Sequence, residues 1–216
     1  MPQPARLVTE AVGTFIFLSV IALSRPVGPL APLAIGVALM AMVYMGRHVS
    51  GAHYNPAVSF GVFLRRKLSA TDMVAYWAAQ LVGGALAFGF GFSVSGYTPG
   101  IHPGANAHIL QALVIEIVFT AALVLVVLNV AATKATEGNS FYGLAIGFTI
   151  VAAAFAGGPI SGGAFNPAVG FGATLGSALF AHGGWSDLWL YFVGPLVGAG
   201  IGAAIHRLQV SGKDLA

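Results

Sequence analysis

The sequence predicts an all-α membrane protein. It has six transmembrane helices and two re-entrant half-helices, arranged as two inverted repeats. Three observations predict this. Charged residues make up only 7% of the 216 positions, against about 25% in an ordinary soluble domain. Six long, nearly charge-free runs cover 7–24, 30–46, 73–94, 109–133, 141–157 and 188–205. The triplet Asn-Pro-Ala occurs twice, at matched places in two halves of the chain.

The composition admits little else. Hydrophobic residues are 57% of the chain and the mean hydropathy is +0.88, so a water-facing surface cannot be covered. A spanning helix needs roughly 17–25 mainly apolar residues, and six such runs are present. Only helices or closed barrels satisfy the backbone inside a bilayer. The runs lack the alternating pattern of barrel strands, which leaves helices.

Charge sets the orientation. The isoelectric point near 9.5 invites a nucleic-acid reading, but the distribution of the cations opposes it. Arg6, Arg65, Arg66, Lys67, Lys134, Arg207 and Lys213 fall at ends or loops on one side, with Arg47 at a helix end there. Arg25 is the only Lys or Arg in a loop on the other side. This is the positive-inside pattern. It places both termini in the cytoplasm, as six spans require. Arg65-Arg66-Lys67 reads as a topology anchor rather than a lipid-specific site. The first run has no cleavage site flanked by small residues and reads as a retained helix. The absence of cysteine excludes disulfides and thiol chemistry. With short tails, it suggests a prokaryotic plasma membrane.

The repeat is visible in the sequence. The chain reads as one domain, 1–216, with halves of about 1–95 and 105–216. Residues 76–84, Tyr-Trp-Ala-Ala-Gln-Leu-Val-Gly-Gly, align with 191–199, Tyr-Phe-Val-Gly-Pro-Leu-Val-Gly-Ala. Glu10 in the first span parallels Glu116 in the fourth. Each half contains three spans, an odd number, so the halves are oppositely oriented. Inverted repeats place a shared site at the midplane, where broken helices meet.

The triplets mark that site. Residues 56–64 and 167–179 are too short to span and fit half-helices. Proline at the first helical position loses no helical bond, and asparagine just before it is among the best N-caps. Asn55-Pro56-Ala57 and Asn166-Pro167-Ala168 are therefore helix starts placed inside the membrane. Such backbone survives at depth only where it is buried in protein or lines a wet cavity. The glycine-rich runs before the triplets then supply extended backbone. The carbonyls of Gly51, Ala52 and His53, and of Gly162, Gly163 and Ala164, form the expected acceptor ladder. The His53 ring is expected to pack or bond locally.

Together these residues resemble aquaporins of the major intrinsic protein family. The resemblance rests on the paired triplets, the Ser-Gly-Ala-His-x-Asn-Pro-Ala-Val run ending at Val58, Glu10 and Glu116, and Val193-Gly194-Pro195-Leu196. It covers essentially the whole chain. It implies a homotetramer in the lipid bilayer with one pore per protomer, passing water or small neutral solutes. The half-helix N-termini, each worth roughly +0.5 charge, would face the pore centre. Beside them each Asn offers its amide N–H₂ to a passing oxygen. Water held so cannot relay protons. With the repeat symmetry, the resemblance makes Glu10 and Glu116 supports for the re-entrant loops rather than proton relays.

One position departs from the family. Most members carry Arg directly after the second triplet, and this chain has Val169. Family spacing puts Ile35, Ala154 and Gly163 at the other positions of the selectivity filter, where water-selective members usually place His at the Ala154 site. The expected ring is wide and apolar, as in some plant vacuolar members. Ammonia, hydrogen peroxide and urea become candidate solutes beside water. The glycerol branch has Asp behind its second triplet; here Gly170 and Thr174 stand at those positions. A glycerol or polyol facilitator is therefore the lesser alternative. A closed-pore structural protein is another, opposed by the short loops. Nothing suggests an enzyme: there is no nucleophile–base set, phosphate loop or cofactor fingerprint. His102, His108 and His182 lack metal-ligand spacing. No cofactor, metal or nucleic-acid partner is expected.

Overall fold

The computed structural model describes residues 1–210. Lys213, counted above among the basic-side cations, lies outside the described residues, as does the end of the second half. Eight α-helices follow in order: α1 Gln3–Leu23, α2 Ala31–Ser50, α3 Pro56–Leu64, α4 Ala70–Ser95, α5 Ile109–Ala131, α6 Tyr142–Ser161, α7 Pro167–Phe180 and α8 Leu190–Gln209. No strand occurs among the described residues. Short 3-10 helices at Arg25–Leu30 and Lys134–Thr136 join α1 to α2 and α5 to α6. The hydropathy pattern does not anticipate them.

The order is the same in both halves: long, long, short, long. Helix α4 lies along α1, and α8 lies along α5 in the same way. The short helices cross over between halves. α7 packs chiefly on α4 of the first half, and α3 chiefly on α8 of the second. The two inverted repeats are thereby interlocked. Each half-helix lends its buried face to the other half's last span.

Five long helices are apolar and long enough to cross a membrane. Helix α8, expected as the sixth span, is as long as α2 and α6 but less apolar. Gly194, Gly198, Gly200 and Gly202 add little hydropathy, and His206, Arg207 and Gln209 end it. The glycines trade apolarity for close packing. A Cβ on Gly198 would strike the carbonyl of Ile117 on α5. Its counterpart Gly83 on α4 would place one 2.5 Å from the carbonyl of Ala11 on α1.

These two crossings carry a prediction. Gly83→Ala and Gly198→Ala should each destabilise by about 1–3 kcal/mol, the usual cost of overpacking. Thermal melts of the purified variants should fall by roughly 2–4 °C per kcal/mol. Gly200→Ala is the control, since a Cβ there meets nothing within 4 Å. A Gly200 variant that melts as low as the other two would defeat the assignment.

Candidate functional site

Both triplets begin helices as their chemistry requires. Asn55 and Asn166 are extended N-caps at φ −158° and −160°. Each Oδ1 accepts from the backbone N–H two residues on, Ala57 and Ala168, at 2.9 Å. A cap of this kind is worth about 1 kcal/mol. Each amide also crosses to the other half. Asn55 Nδ2 donates to the carbonyl of Phe165, and Asn166 Nδ2 to that of Tyr54, both at 2.9 Å. The expected pair of unused N–H groups is therefore halved. One proton of each amide ties the loops together, and the other donates to none of the described residues.

The loops before the caps share one conformation. Gly51 and Gly162 end α2 and α6 in the left-handed region at φ 92° and 91°. Tyr54 and Phe165 both sit at φ 49°. Left-handed backbone is costly outside glycine and needs compensation. Glu10 and Glu116, both fully buried, supply it. Glu10 accepts from His53 N at 3.0 Å, Tyr54 N at 2.8 Å, Ser50 Oγ at 2.6 Å and Gln80 Nε2 at 2.9 Å. Glu116 accepts from Ala164 N at 3.0 Å, Phe165 N at 2.7 Å and Ser161 Oγ at 2.8 Å. Both glutamates accept from two loop N–H groups.

The same accounting locates the carbonyls. In the first loop the N–H groups of Gly51, Ala52, His53 and Tyr54 go to Arg47 O, Ser50 Oγ and the two Glu10 oxygens. In the second they go to Gly158 O, Ser161 Oγ and Glu116. Every donor turns into the protein. The carbonyls of 51–53 and 162–164 accept no bond from the described residues.

Several supporting residues escape the sequence reading. Tyr76 and Tyr191 donate to the carbonyls of Ser50 and Ser161, both at 2.7 Å. Their alignment in the repeat was the available signal. Ser59 and Gln80 have no counterpart in the second half, where Gly170 and Pro195 stand. Gln80 donates to Ser59 Oγ at 3.0 Å, and Ser59 Oγ lies 3.0 Å from His53 Nδ1. The His53 ring also meets Tyr76 edge-on at 5.3 Å. It bonds and packs locally, as predicted.

A cavity of about 470 Å³ runs past the asparagine of each triplet, while Pro56, Ala57, Pro167 and Ala168 are buried behind it and do not line it. Asn55, Asn166, Ile35, Ala154, Gly163 and Val169 all line it. Ala52, His53, Gly162 and Ala164 line it too. Gly51 does not: it is the exposed C-cap of α2, at the loop's start rather than in its depth. Among the described residues, no Asp, Glu, Lys or Arg lines the cavity. Ser24, His53, Tyr54 and the two asparagines are the polar residues along it among the described residues. The sequence reading also missed the cover formed by Pro99, Gly100 and Ile101, which lies in a connection without hydropathic signal.

Comparison with known proteins fits this geometry. The profile of the family described as Major intrinsic protein matches residues 5–206. The chain belongs to the major intrinsic protein family. As a major intrinsic protein it is an integral, multi-pass membrane channel and not an enzyme. It is 38% identical to "Probable aquaporin TIP3-2" of Oryza sativa subsp. japonica, over 83% of this chain and 66% of that protein. It is 35% identical to "Probable aquaporin TIP2-2" of the same organism, over 93% and 85%. It is 33% identical to Nodulin-26 of Glycine max, over 96% and 79%. The solved aquaglyceroporin of Plasmodium falciparum shares its fold at TM-score 0.78 and 21% identity, covering 96% and 95%. These curated relatives of this major intrinsic protein are plant proteins and give no support to the expected prokaryotic origin.

Proposed function

We propose that the chain passively conducts water and other small neutral solutes, with ammonia, hydrogen peroxide and urea ahead of glycerol. One observation carries this reading. A cavity lined by no Asp, Glu, Lys or Arg among the described residues passes both half-helix N-termini and a wall of Ile35, Ala154, Gly163 and Val169. In this reading those four residues are the selectivity filter. The carbonyls of Ala52, His53, Gly162, Gly163 and Ala164 form the acceptor ladder. Asn55 and Asn166 each use their remaining N–H to orient the solute's oxygen. A water accepting both bonds has its own protons turned away from its partner and cannot pass a proton along. Cations meet the positive ends of α3 and α7. With no filter arginine, cation exclusion rests on those ends.

Halves of about 1–95 and 105–216 act in this reading as one channel domain. The protein works as a homotetramer in the bilayer, with both termini on the basic, cytoplasmic side. The relatives named aquaporins support the water assignment.

Stopped-flow light scattering on proteoliposomes tests it. Water, urea and glycerol are compared in one preparation, with a pH-dye assay for ammonia. Water and urea flux should exceed that of empty vesicles severalfold, without saturation and without dependence on a proton gradient. No flux of any solute would leave a structural protein. Saturable or gradient-driven flux would point to a transporter.

A further inference from the structure

The run Arg65-Arg66-Lys67 reads from sequence as a topology anchor rather than a lipid-specific site. The structure divides it. Arg66 and Lys67 are exposed, whereas Arg65 is only 8% exposed and turns into the packing where α3 meets α8. Its Nε donates to His206 Nδ1 at 2.9 Å. A guanidinium only donates, so Nδ1 accepts and the ring proton belongs on Nε2. That nitrogen lies 2.7 Å from Thr133 Oγ1, which donates to the carbonyl of Leu128 at 2.8 Å. His206 therefore gives Arg65 a lone pair and no negative charge.

A guanidinium nine-tenths buried is costly without a counter-charge. Arg65 Nη2 is buried and has no hydrogen-bond partner among the described residues. Among the described residues, the charged groups acting on Arg65 and His206 are Arg207, Lys67 and Arg65 itself, all cationic. Asp72, in a surface hollow with Arg66 and Lys67, is held by Arg6 through two bonds at 2.9 and 3.2 Å. The C-terminal carbonyls of α3 are occupied as well. Those of Gly61, Val62 and Phe63 accept from the N–H groups of Arg65, Lys67 and Arg66.

We propose that this corner of α3 and α8 is a phosphate-binding site. Arg65 Nη2 donates to a phosphate oxygen, and Arg207 holds the rim. Arg207 is exposed and long enough to turn aside as the anion enters. Planar guanidinium forks match phosphate geometry. The phosphate belongs to a net-anionic lipid or is free in solution. The site lies on the face where cations gather, and anionic headgroups collect at such faces. It does not depend on which solute the channel passes.

The test is a thermal melt of the purified full chain in uncharged detergent. Short-chain phosphatidylglycerol, short-chain phosphatidylcholine and inorganic phosphate are added separately at matched ionic strength. Phosphatidylglycerol should raise Tm by about 3 °C when saturating, and phosphatidylcholine should not. An equal rise with inorganic phosphate assigns the site to free phosphate; a rise with the lipid alone assigns it to the headgroup. Arg65→Gln should weaken apparent affinity about tenfold, the size of one charge-assisted hydrogen bond. Arg25→Gln, on the other face, should leave it unchanged. If Arg65→Gln does not fold, Arg207→Gln replaces it, with a similar loss expected. No rise with any anion, or an undiminished rise in the Arg65 and Arg207 variants, overturns the proposal. So does one further result. If a chain ending at Val210 loses as much stability as Arg65→Gln, and Arg65→Gln then adds nothing, a carboxylate of residues 211–216 is the partner instead.

Discussion

Glu10→Ala is expected to abolish the folded channel rather than alter its selectivity. The substitution strands four donors at a fully buried position: the N–H groups of His53 and Tyr54, Ser50 Oγ and Gln80 Nε2. Each stranded buried donor costs about 1–3 kcal/mol. Ser50 can re-aim its hydroxyl, which leaves a loss of roughly 4–8 kcal/mol on the same scale. Typical total stabilities are about 5–15 kcal/mol. The first re-entrant loop, strained at Ala52 and Tyr54, then has nothing to hold it. Glu116→Ala should be less severe, because it strands three donors and not four. Glu10→Gln should also be harmful, since it turns a donor toward donors. Detergent-extracted yield, monodispersity and melting temperature measure the order. A Glu10→Ala protein with normal yield and melting but altered proton flux would restore the relay reading.

That order was only partly legible in the sequence. The parallel glutamates could be read from the repeat, and so could the half-helix starts, because Asn-Pro is a local signal. The first half-helix begins and ends where expected, and the second runs one residue longer, to Phe180. The long helices were read less well. α2 and α6 continue to Ser50 and Ser161, four residues past the runs read from hydropathy. Arg47, His48, Gly158 and Pro159 look like loop in an apolar scan. The helix continues through them because its last serine must reach a buried glutamate. The extra donor from Gln80 and the crossed bonds of the Asn amides were not legible. They join residues 70 to 112 positions apart, and no periodicity encodes such pairs. The burial of Arg65 was not legible for the same reason. Its partner His206 lies 141 residues away.

Val169→Arg is expected to convert a permissive pore into a narrow one. Val169 is 3% exposed and lines the cavity with Ile35, Ala154 and Gly163. It lies one turn inside α7, three residues from the cap at Asn166. A guanidinium there has acceptors close in sequence, since the carbonyls of Gly162, Gly163 and Ala164 accept nothing from the described residues. It also has length to spare across an aliphatic wall. Pore width and a fixed cation both act on selectivity. Urea and glycerol flux should fall by about tenfold, equivalent to about 1.4 kcal/mol of added barrier. Water, the smaller solute, should fall by no more than roughly threefold on the same scale. Any cation leak should decline too, because a charge in the wall supplements the dipoles of α3 and α7. Ala154→His added to the same variant should sharpen the split, placing a second bulky polar group across the cavity. Proteoliposome flux measured on both variants decides it. Unchanged urea and glycerol flux in Val169→Arg would show that the restriction lies elsewhere along the cavity. The aliphatic girdle of Val58, Leu123 and Ile146 would be the next place to look.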